Sequence, residues 1–270
     1  MNSPPGFERN IARFTGLGDL YDQHRPGPPA VLAELISRIS DVPRPETVVD
    51  LGSGTGLSTR YWADKAGRAI GIEPTPDMRR RAQEVTAAPN VVYRAGLSHQ
   101  TGLPSQCAQV VVCVQALHWM EPDSTFAEVA RILAPGGVFA ACDFDFPPAT
   151  GCWEADEAFA AGMRAGRALE KKRRIDAGVQ HWDKNGHFAR MQACGLFRHV
   201  RDLAVHHEDE GDADRLIGLF LSQGYIFGLL QAGLKEKQLG LARLRAIAQR
   251  TLGARPRRFL WSARVRLGRI

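Results

Sequence analysis

The sequence predicts an α/β protein with a seven-stranded, mostly parallel β-sheet flanked by helices. Short apolar runs alternate with helical repeats along the chain, and glycines cluster between the first run and the helix after it. Hydrophobic residues make up 44% of the 270 positions, enough to bury a core. No apolar run approaches the roughly 18 residues that a membrane span needs. We therefore expect one domain over residues 1–270 and no membrane partner.

The predicted elements follow the chain in order. Residues 1–45 are helical in pattern, with prolines between 26 and 29 and a helix over 28–40 that ends before Pro43 and Pro45. The predicted strands of the first half are 47–51, 69–73, 91–94, 109–115 and 138–143, and the helices between them are 57–66, 77–87 and 124–133. Segment 46–146 is therefore the expected α/β core.

The second half predicts two more strands and long helical insertions. Alternating apolar residues at 199–207 and 259–267 are typical of strands, so segments 198–210 and 256–270 should complete the sheet. Segments 147–197 and 211–255 are helical in pattern. We interpret them as a cap over a substrate cleft.

A glycine loop carries the chemistry. Gly52, Gly54 and Gly56 follow the first strand, Asp50 lies just before them, and Glu73 ends the second strand. An acid at the second strand suits a ribose diol. Asp50 would repel a pyrophosphate, so the ligand should be a nucleoside whose far end is positively charged. No Gly-x-x-x-x-Gly-Lys-Ser/Thr motif is present, which excludes a P-loop.

Four motifs in order resemble class I S-adenosylmethionine-dependent methyltransferases. Segments 48–56 and 71–78 look like the first two motifs, and 111–120 and 133–137 look like those of the fourth and fifth strands. Gln-Ala-Leu-His-Trp within 111–120, with Tyr-Asp-Gln-His-Arg-Pro at 21–26, is similar to the trans-aconitate methyltransferase-like group acting on small molecules. The resemblance implies a Rossmann-like fold, an antiparallel last strand, S-adenosyl-L-methionine as cofactor and S-adenosyl-L-homocysteine as product.

The resemblance also implies the cofactor contacts. Tyr21 would close over the methionine end or pack as core, Arg25 would lie near the cofactor carboxylate, and Glu73 would bind the ribose or be a solvated strand end. The full predicted cofactor set is Tyr21, Arg25, Asp50, Gly52, Ser53, Gly54, Gly56, Glu73, Pro74, Met78, Gly96, Leu97, Ser98 and Gln115.

One position departs from the family pattern. After the third strand the family has Gly-Asp-Ala, whose Asp accepts a hydrogen bond from the adenine amino group, but this chain has Gly96-Leu97-Ser98. Leu97 cannot accept that bond. Either Ser98 or a backbone carbonyl replaces it, or adenine recognition is mostly apolar.

His118 and Trp119 are the predicted substrate residues, because they follow the fourth strand at its carboxyl end, where ligands of open α/β sheets bind. His118 could accept a proton as the catalytic residue, orient substrate, or be structural. Trp119 could pack as core or face the sulfonium.

No metal site is predicted. The five cysteines form no Cys-x-x-Cys pair and are expected to be buried thiols. His181, His187 and the pair at 206–207 lack metal-ligand spacing and are interpreted as surface or strand-face residues. The basic run 171–174 could be a solvated helix face, or it could face the cleft and attract an anionic substrate.

Charge leaves a second function class open. From residue 234 onward the sequence has eleven basic residues and one acid, which gives this segment a net charge of +10, whereas the whole chain has a net charge of +6. The expected function is methyl transfer to an oxygen, nitrogen or carbon of a small molecule of carboxylate or natural-product type. One alternative is an RNA or DNA methyltransferase that uses the basic C-terminal face, although nucleic acid is the disfavoured partner. The other is a non-methylating cyclase or regulator that binds the cofactor. The start of the sequence lacks secretory-signal features, so we expect a cytoplasmic protein. The sequence predicts no oligomeric state.

Overall fold

A seven-stranded sheet organises the chain, which a computed structural model describes for residues 7–270. Its strand order is β3-β2-β1-β4-β5-β7-β6. The strands are β1 (Thr47–Leu51), β2 (Arg68–Ile72), β3 (Val91–Arg94), β4 (Ala108–Val114), β5 (Leu133–Phe144), β6 (Arg198–Gly211) and β7 (Arg257–Arg269). Strands β1 to β5 pair in parallel and β7 runs antiparallel to β5. These pairings confirm the predicted mostly parallel sheet and its antiparallel last strand.

Helices connect the strands much as the sequence pattern predicts. Over the described residues they are α1 (Phe7–Ala12), α2 (Gly18–His24), α3 (Leu32–Ser40), α4 (Leu57–Tyr61), α5 (Pro76–Glu84), α6 (Pro122–Ile132), α7 (Trp153–Arg173), α8 (His187–Ala193), α9 (Ala213–Leu221), α10 (Gly224–Gln231) and α11 (Leu241–Thr251). Helix α3 begins four residues later than predicted, after Pro28 and Pro29. The predicted helical segment 211–255 divides into α9, α10 and α11. None of these helices is both long and apolar enough to cross a membrane.

The chain divides into two units, which we name by their content. The sheet unit comprises Gly27–Phe144, Gln180–Val205 and Ala263–Ile270, and the helical unit comprises Met1–Pro26, Asp145–Val179 and His206–Ser262. The predicted N-terminal segment 1–45 is therefore shared between the two units, and its first six residues lie outside the described part of the chain.

The sheet unit has a dense apolar core. Buried aliphatic residues of β1, β2 and β4 pack with Phe126 of α6 and Phe139 of β5. Phe197 stacks on Phe139 with ring centroids 5.6 Å apart. Cys113 of β4 and Cys142 of β5 are buried in neighbouring strands, whereas the other three cysteines are only half-buried, and all five are free thiols. The expectation of buried thiols is thus correct for these two and wrong for the rest.

Small residues on α7 allow the helices of the helical unit to approach closely. A Cβ at Gly162 would lie 2.6 Å from the Phe220 ring of α9, and one at Gly166 would lie 2.9 Å from the Tyr225 ring of α10. Phe159 of α7 meets Phe220 edge to face at 5.4 Å. Both glycines are therefore required for the observed packing of these helices.

Candidate functional site

The loop after β1 follows a path that needs glycine. Gly52, Gly54 and Gly56 have φ of 68°, 54° and 87°, in the left-handed region that other residues rarely adopt. A Cβ at Gly56 would lie 2.2 Å from the Tyr93 hydroxyl oxygen, but a Cβ at Gly54 would meet no atom within 4 Å. The backbone at Gly54 therefore borders open space, where a ligand can approach it.

Glu73 ties the loop after β1 to the end of β2. Its Oε2 accepts the Gly54 N–H at 2.9 Å and its Oε1 accepts the Thr75 N–H at 2.8 Å. Burial raises the pKa of Glu73, and these hydrogen bonds oppose that rise. Parallel pairing of β1 with β2 brings Glu73 to the same sheet edge as Asp50. The two acids predicted from the sequence therefore meet at one edge.

Asp50 is a buried acid with one oxygen unused. Its Oδ2 accepts the Thr59 hydroxyl at 2.6 Å, while Oδ1 has no hydrogen-bond partner among residues 7–270. Burial raises the pKa of Asp50 to about 7, against the hydrogen bond from Thr59. The hydroxyls of Ser53 and Thr55 are also buried without partners in the described chain. Three polar atoms of this loop are thus available to a ligand.

Three more of the predicted cofactor residues, Pro74, Met78 and Ser98, differ in burial and in hydrogen bonding. Pro74 is half-buried and Met78 is buried at the start of α5. Ser98 is buried, and its hydroxyl lies 2.8 Å from the Thr125 hydroxyl of α6.

Backbone bonds also occupy the loop after β3. The N–H and carbonyl of Leu97 both bond to Gln100, at 3.3 and 3.0 Å. A Cβ at Gly96 would lie 2.9 Å from Ile72, so this loop packs closely against β2. The Leu97 carbonyl accepts one hydrogen bond from Gln100, the Ser98 hydroxyl bonds to Thr125, and the Leu97 side chain is half-buried.

A second cluster of charged groups lies at the carboxyl ends of β4 and β5. Asp143 is bound by Arg266 at 3.0 Å and by Lys184 at 3.2 Å, and His118 Nδ1 lies 3.5 Å from its Oδ1. Lys184 also donates to Gln115 Oε1 at 2.6 Å. Gln115 has φ of 56°, a strained backbone for a residue with a side chain.

The titration behaviour of this cluster follows from burial and charge. Burial, together with the positive charge of Lys184, lowers the pKa of His118 to about 3 against the opposing effect of Asp143, so His118 is neutral near pH 7. The pKa of Asp143 falls below its usual value despite burial, because His118 and Lys184 stabilise the carboxylate.

Sequence analysis missed Asp143 and Lys184. Asp143 lies near the end of a buried strand, as Asp50 does, and this position could have indicated it. Lys184 begins a single 3-10 turn, Lys184–Gly186, in a segment with no pattern that would identify it.

Aromatic rings pack beside His118. The Trp119 ring lies 4.8 Å from His118 and 5.1 Å from the exposed His181. His187 was expected on a surface or strand face, and that expectation is wrong: it is fully buried at the start of α8, and burial lowers its pKa to about 4. Its helix packs on the sheet core through Met191, which explains the burial. Within the described chain no group of three or more His, Cys, Asp or Glu could hold a metal ion.

Tyr21 and Arg25 belong to the helical unit. Tyr21 lies in α2, Arg25 follows its last residue, and the Arg25 guanidinium lies 4.9 Å over the Tyr21 ring. The basic run 171–174 is exposed, consistent with a solvated end of α7.

Acidic partners offset much of the basic C-terminal segment. Ion pairs join five of its arginines to acids in the same unit. These pairs are Arg245–Glu236, Arg250–Glu154, Arg258–Glu208, Arg264–Asp202 and Arg266–Asp143. The charge of +10 therefore does not form an unbroken basic surface.

Residues 49–141 match a family described as a methyltransferase domain. The match runs from β1 to β5 and contains the glycine loop, Glu73 and the end of β4. Residues 49–141 therefore form a methyltransferase domain, and the seven-stranded sheet around them has the class I methyltransferase fold. Resemblance to the narrower trans-aconitate group stays a prediction.

Relatives of the methyltransferase domain are distant. An uncharacterized methyltransferase of Mycobacterium tuberculosis is 30% identical over 118 residues, 43% of this chain and 46% of the relative. The chain thus spans about half the length of the curated relatives it matches.

Solved structures share the architecture. A candidate type II methyltransferase from Anaeromyxobacter dehalogenans covers 91% of this chain and 97% of its own, with a TM-score of 0.63 and 22% identity. The [4+2]-cyclase SpnF covers 100% of this chain and 98% of its own, with a TM-score of 0.52 and 14% identity. At these identities the similarity shows the fold of the methyltransferase domain.

Proposed function

We propose that this chain transfers a methyl group from S-adenosyl-L-methionine to a small-molecule acceptor, with S-adenosyl-L-homocysteine as product. The proposal is carried by buried polar atoms of Asp50, Ser53 and Thr55 that have no partner among residues 7–270 and lie beside a glycine loop open at Gly54. Buried polar atoms without hydrogen bonds are rare because they cost free energy. Their grouping at the carboxyl edge of a parallel sheet supports a polar ligand there.

The acids of this edge fit a nucleoside with a positively charged end. Glu73 uses two of its roughly four acceptor positions on backbone N–H groups and keeps others for a ribose diol. A cationic ligand group beside Asp50 would stabilise its ionised form, which burial alone disfavours. Pro74, Met78, Gly96, Leu97, Ser98 and Gln115 stay predicted contacts, as does Tyr21.

S-adenosyl-L-methionine, when bound, supplies an activated methyl group on a positively charged sulfur. The chain itself has to orient the acceptor and exclude water. His118 is suited to orienting the acceptor, because it is neutral near pH 7 and its Nδ1 faces Asp143, so that its Nε2 can accept a hydrogen bond from an O–H or N–H of the acceptor. Trp119 would provide an apolar wall beside it.

A small-molecule acceptor is favoured over nucleic acid. Binding to nucleic acid depends on lysine and arginine charges that neutralise phosphates. Five arginines of the C-terminal segment already pair with acids, and this pairing weakens the case for a phosphate-binding surface.

Calorimetric titration with S-adenosyl-L-methionine tests the cofactor site. Wild-type protein should bind it, Asp50→Ala and Gly54→Val should abolish binding, and Glu73→Gln should weaken it about tenfold or more. Gly195→Val is the matched control, because Gly195 also has a left-handed φ, 70°, and free space for a Cβ. Binding retained in both the Asp50 and Gly54 variants would refute the site.

Product analysis tests the reaction. Incubation with a panel of small-molecule acceptors should yield S-adenosyl-L-homocysteine and a product heavier by one CH₂ group. Cofactor binding without S-adenosyl-L-homocysteine formation from any acceptor would favour the non-methylating alternative, since SpnF, which shares the fold, is a cyclase.

A further inference from the structure

The turn that carries His118 packs against the glycine loop of the proposed cofactor site. A Cβ at Gly52 would lie 2.7 Å from both the Ala116 Cβ and the Met120 Cε, and these two residues flank the short 3-10 turn Leu117–Trp119. Both segments belong to the sheet unit. A molecule bound at the glycine loop therefore has His118 on an adjoining turn.

Residues 182 and 184 hold this turn in place. The Trp182 N–H donates to the His118 carbonyl at 2.9 Å, and Lys184 Nζ donates to Gln115 Oε1 at 2.6 Å. The same ammonium lies 3.2 Å from Asp143 Oδ1. Lys184 thus joins the residue that follows β4 to the end of β5, and all of these residues belong to the sheet unit.

Asp143 presents one oxygen to His118. Its Oδ2 is bound by Arg266 Nη1 at 3.0 Å, and its Oδ1 lies 3.5 Å from His118 Nδ1. Both Oδ1 and Nδ1 are buried, and neither makes a hydrogen bond among residues 7–270. A small rotation of the imidazole would satisfy both atoms, and an ionised carboxylate accepts hydrogen bonds but does not donate them. The proton of the neutral imidazole therefore belongs on Nδ1.

Nε2 of His118 is then a hydrogen-bond acceptor only. Burial and the positive charge of Lys184 lower the pKa of the ring to about 3 against Asp143, so a second proton is disfavoured. His181, whose ring lies 5.3 Å away, acts in the same direction as Lys184. An atom that stays unprotonated selects a partner that donates and repels one that only accepts.

We propose that Asp143 and Lys184 are positioning residues that keep Nε2 of His118 a hydrogen-bond acceptor, so that the methyl acceptor is a neutral molecule with an O–H or N–H group. The inference rests on the proposed function, since it names the acceptor class of that reaction. A carboxylate would place its oxygen lone pairs against the lone pair of Nε2. Lys184 and Arg266 do not compensate for this, because both already bind Asp143. The carboxylate type expected from the sequence is therefore disfavoured.

Nuclear magnetic resonance of the histidine rings tests the positioning. Full-length protein with ¹⁵N in its histidine rings is measured free and saturated with S-adenosyl-L-homocysteine, and His118→Gln assigns the ring. At pH 7 wild-type His118 should carry its proton on Nδ1. Asp143→Asn should move the proton to Nε2, because an asparagine amide can donate to Nδ1.

Lys184 variants test the second positioning residue. Lys184→Met should raise the pKa of His118 by at least about 0.5, the effect of removing a nearby unit charge. Lys184→Arg keeps that charge and should keep the wild-type value. Lys65→Met is the matched control, because Lys65 is also a partly exposed lysine that pairs with an aspartate, and it should change neither ring signal.

Fragment titration of the saturated protein tests the acceptor class. Phenol, benzyl alcohol and indole are each compared with the methylated counterpart that lacks the donor, and benzyl alcohol is also compared with benzoate. At least one donor should bind at least about tenfold more tightly than its methylated counterpart, and benzyl alcohol should bind more tightly than benzoate. Asp143→Asn should lose the preference for donors, because its Nε2 carries a proton.

Four results overturn the inference. They are a proton on Nε2 in wild type, an unchanged tautomer in folded Asp143→Asn, an unchanged pKa in Lys184→Met, and equal binding of every donor and its methylated counterpart. The amide spectrum verifies the fold of each variant, and if Asp143→Asn does not fold, the wild-type tautomer and Lys184→Met still decide. If wild-type protein fails to bind S-adenosyl-L-homocysteine, the proposed function fails, and the ring signals of the free protein still decide the tautomer.

Discussion

Asp50→Asn should stabilise the protein at alkaline pH while it removes cofactor binding. Burial raises the pKa of Asp50 from 3.8 to about 7, and a shift of about 3 units corresponds to about 4 kcal/mol. The folded state holds this proton more tightly than the unfolded state does. The wild type therefore loses stability as pH rises from about 4 to 7. Asparagine has no charge to bury, and it still accepts the Thr59 hydroxyl.

The pH dependence of the difference is the decisive quantity. An unpartnered Asn amide costs about 1–3 kcal/mol at every pH, which lowers the absolute gain. The stability of Asp50→Asn relative to wild type should nonetheless rise by about 2–3 kcal/mol between pH 5 and pH 8. Urea unfolding at both pH values measures it, with the exposed Asp64→Asn as control. If the stability of Asp50→Asn relative to wild type is the same at both pH values, Asp50 is not a buried carboxyl with a raised pKa.

Further predictions concern the glycine loop and the second charged cluster. Gly56→Ala should be more destabilising than Gly54→Ala, because the new Cβ at position 56 would lie 2.2 Å from the Tyr93 hydroxyl oxygen. Gly54→Ala meets only the strain of a left-handed backbone, about 1–2 kcal/mol. Equal melting temperatures of the two variants would contradict this. Asp143→Asn should cost about 3 kcal/mol in urea unfolding at pH 7, since it leaves the buried Arg266 with only the more distant Asp202 carboxylate, 3.8 Å from its Nε. The pKa of Asp143 is lowered, so wild type should keep this contribution above about pH 4 and lose it as pH falls further; equal stability of wild type and variant at pH 7 would refute it.

The order of strands and helices along the chain and the first acid pair could be predicted from the sequence. Asp50 and Glu73 were predictable because each lies at the end of a recognisable strand, and parallel neighbours end at the same edge. Their hydrogen bonds to Thr59 and Thr75 are local, within nine residues and two residues. Local patterns of this kind are what a single sequence reveals.

Contacts between distant segments could not be predicted in this way. Ser222 holds Arg25 from 197 positions away, and Lys184 reaches Gln115 from 69. No periodicity in either segment specifies its partner. The burial of His187 is similar, because it depends on how α8 packs and not on residues near it in sequence.

The rate at which the two buried cysteines are alkylated reports how often the centre of the sheet opens. Cys113 and Cys142 lie on neighbouring strands, and burial raises the pKa of both thiols well above the ordinary value. A buried protonated thiol reacts with alkylating reagents only after the strands around it separate. The half-buried cysteines should be labelled first, and the slower labelling of these two then measures how often the centre of the sheet unfolds in the native protein.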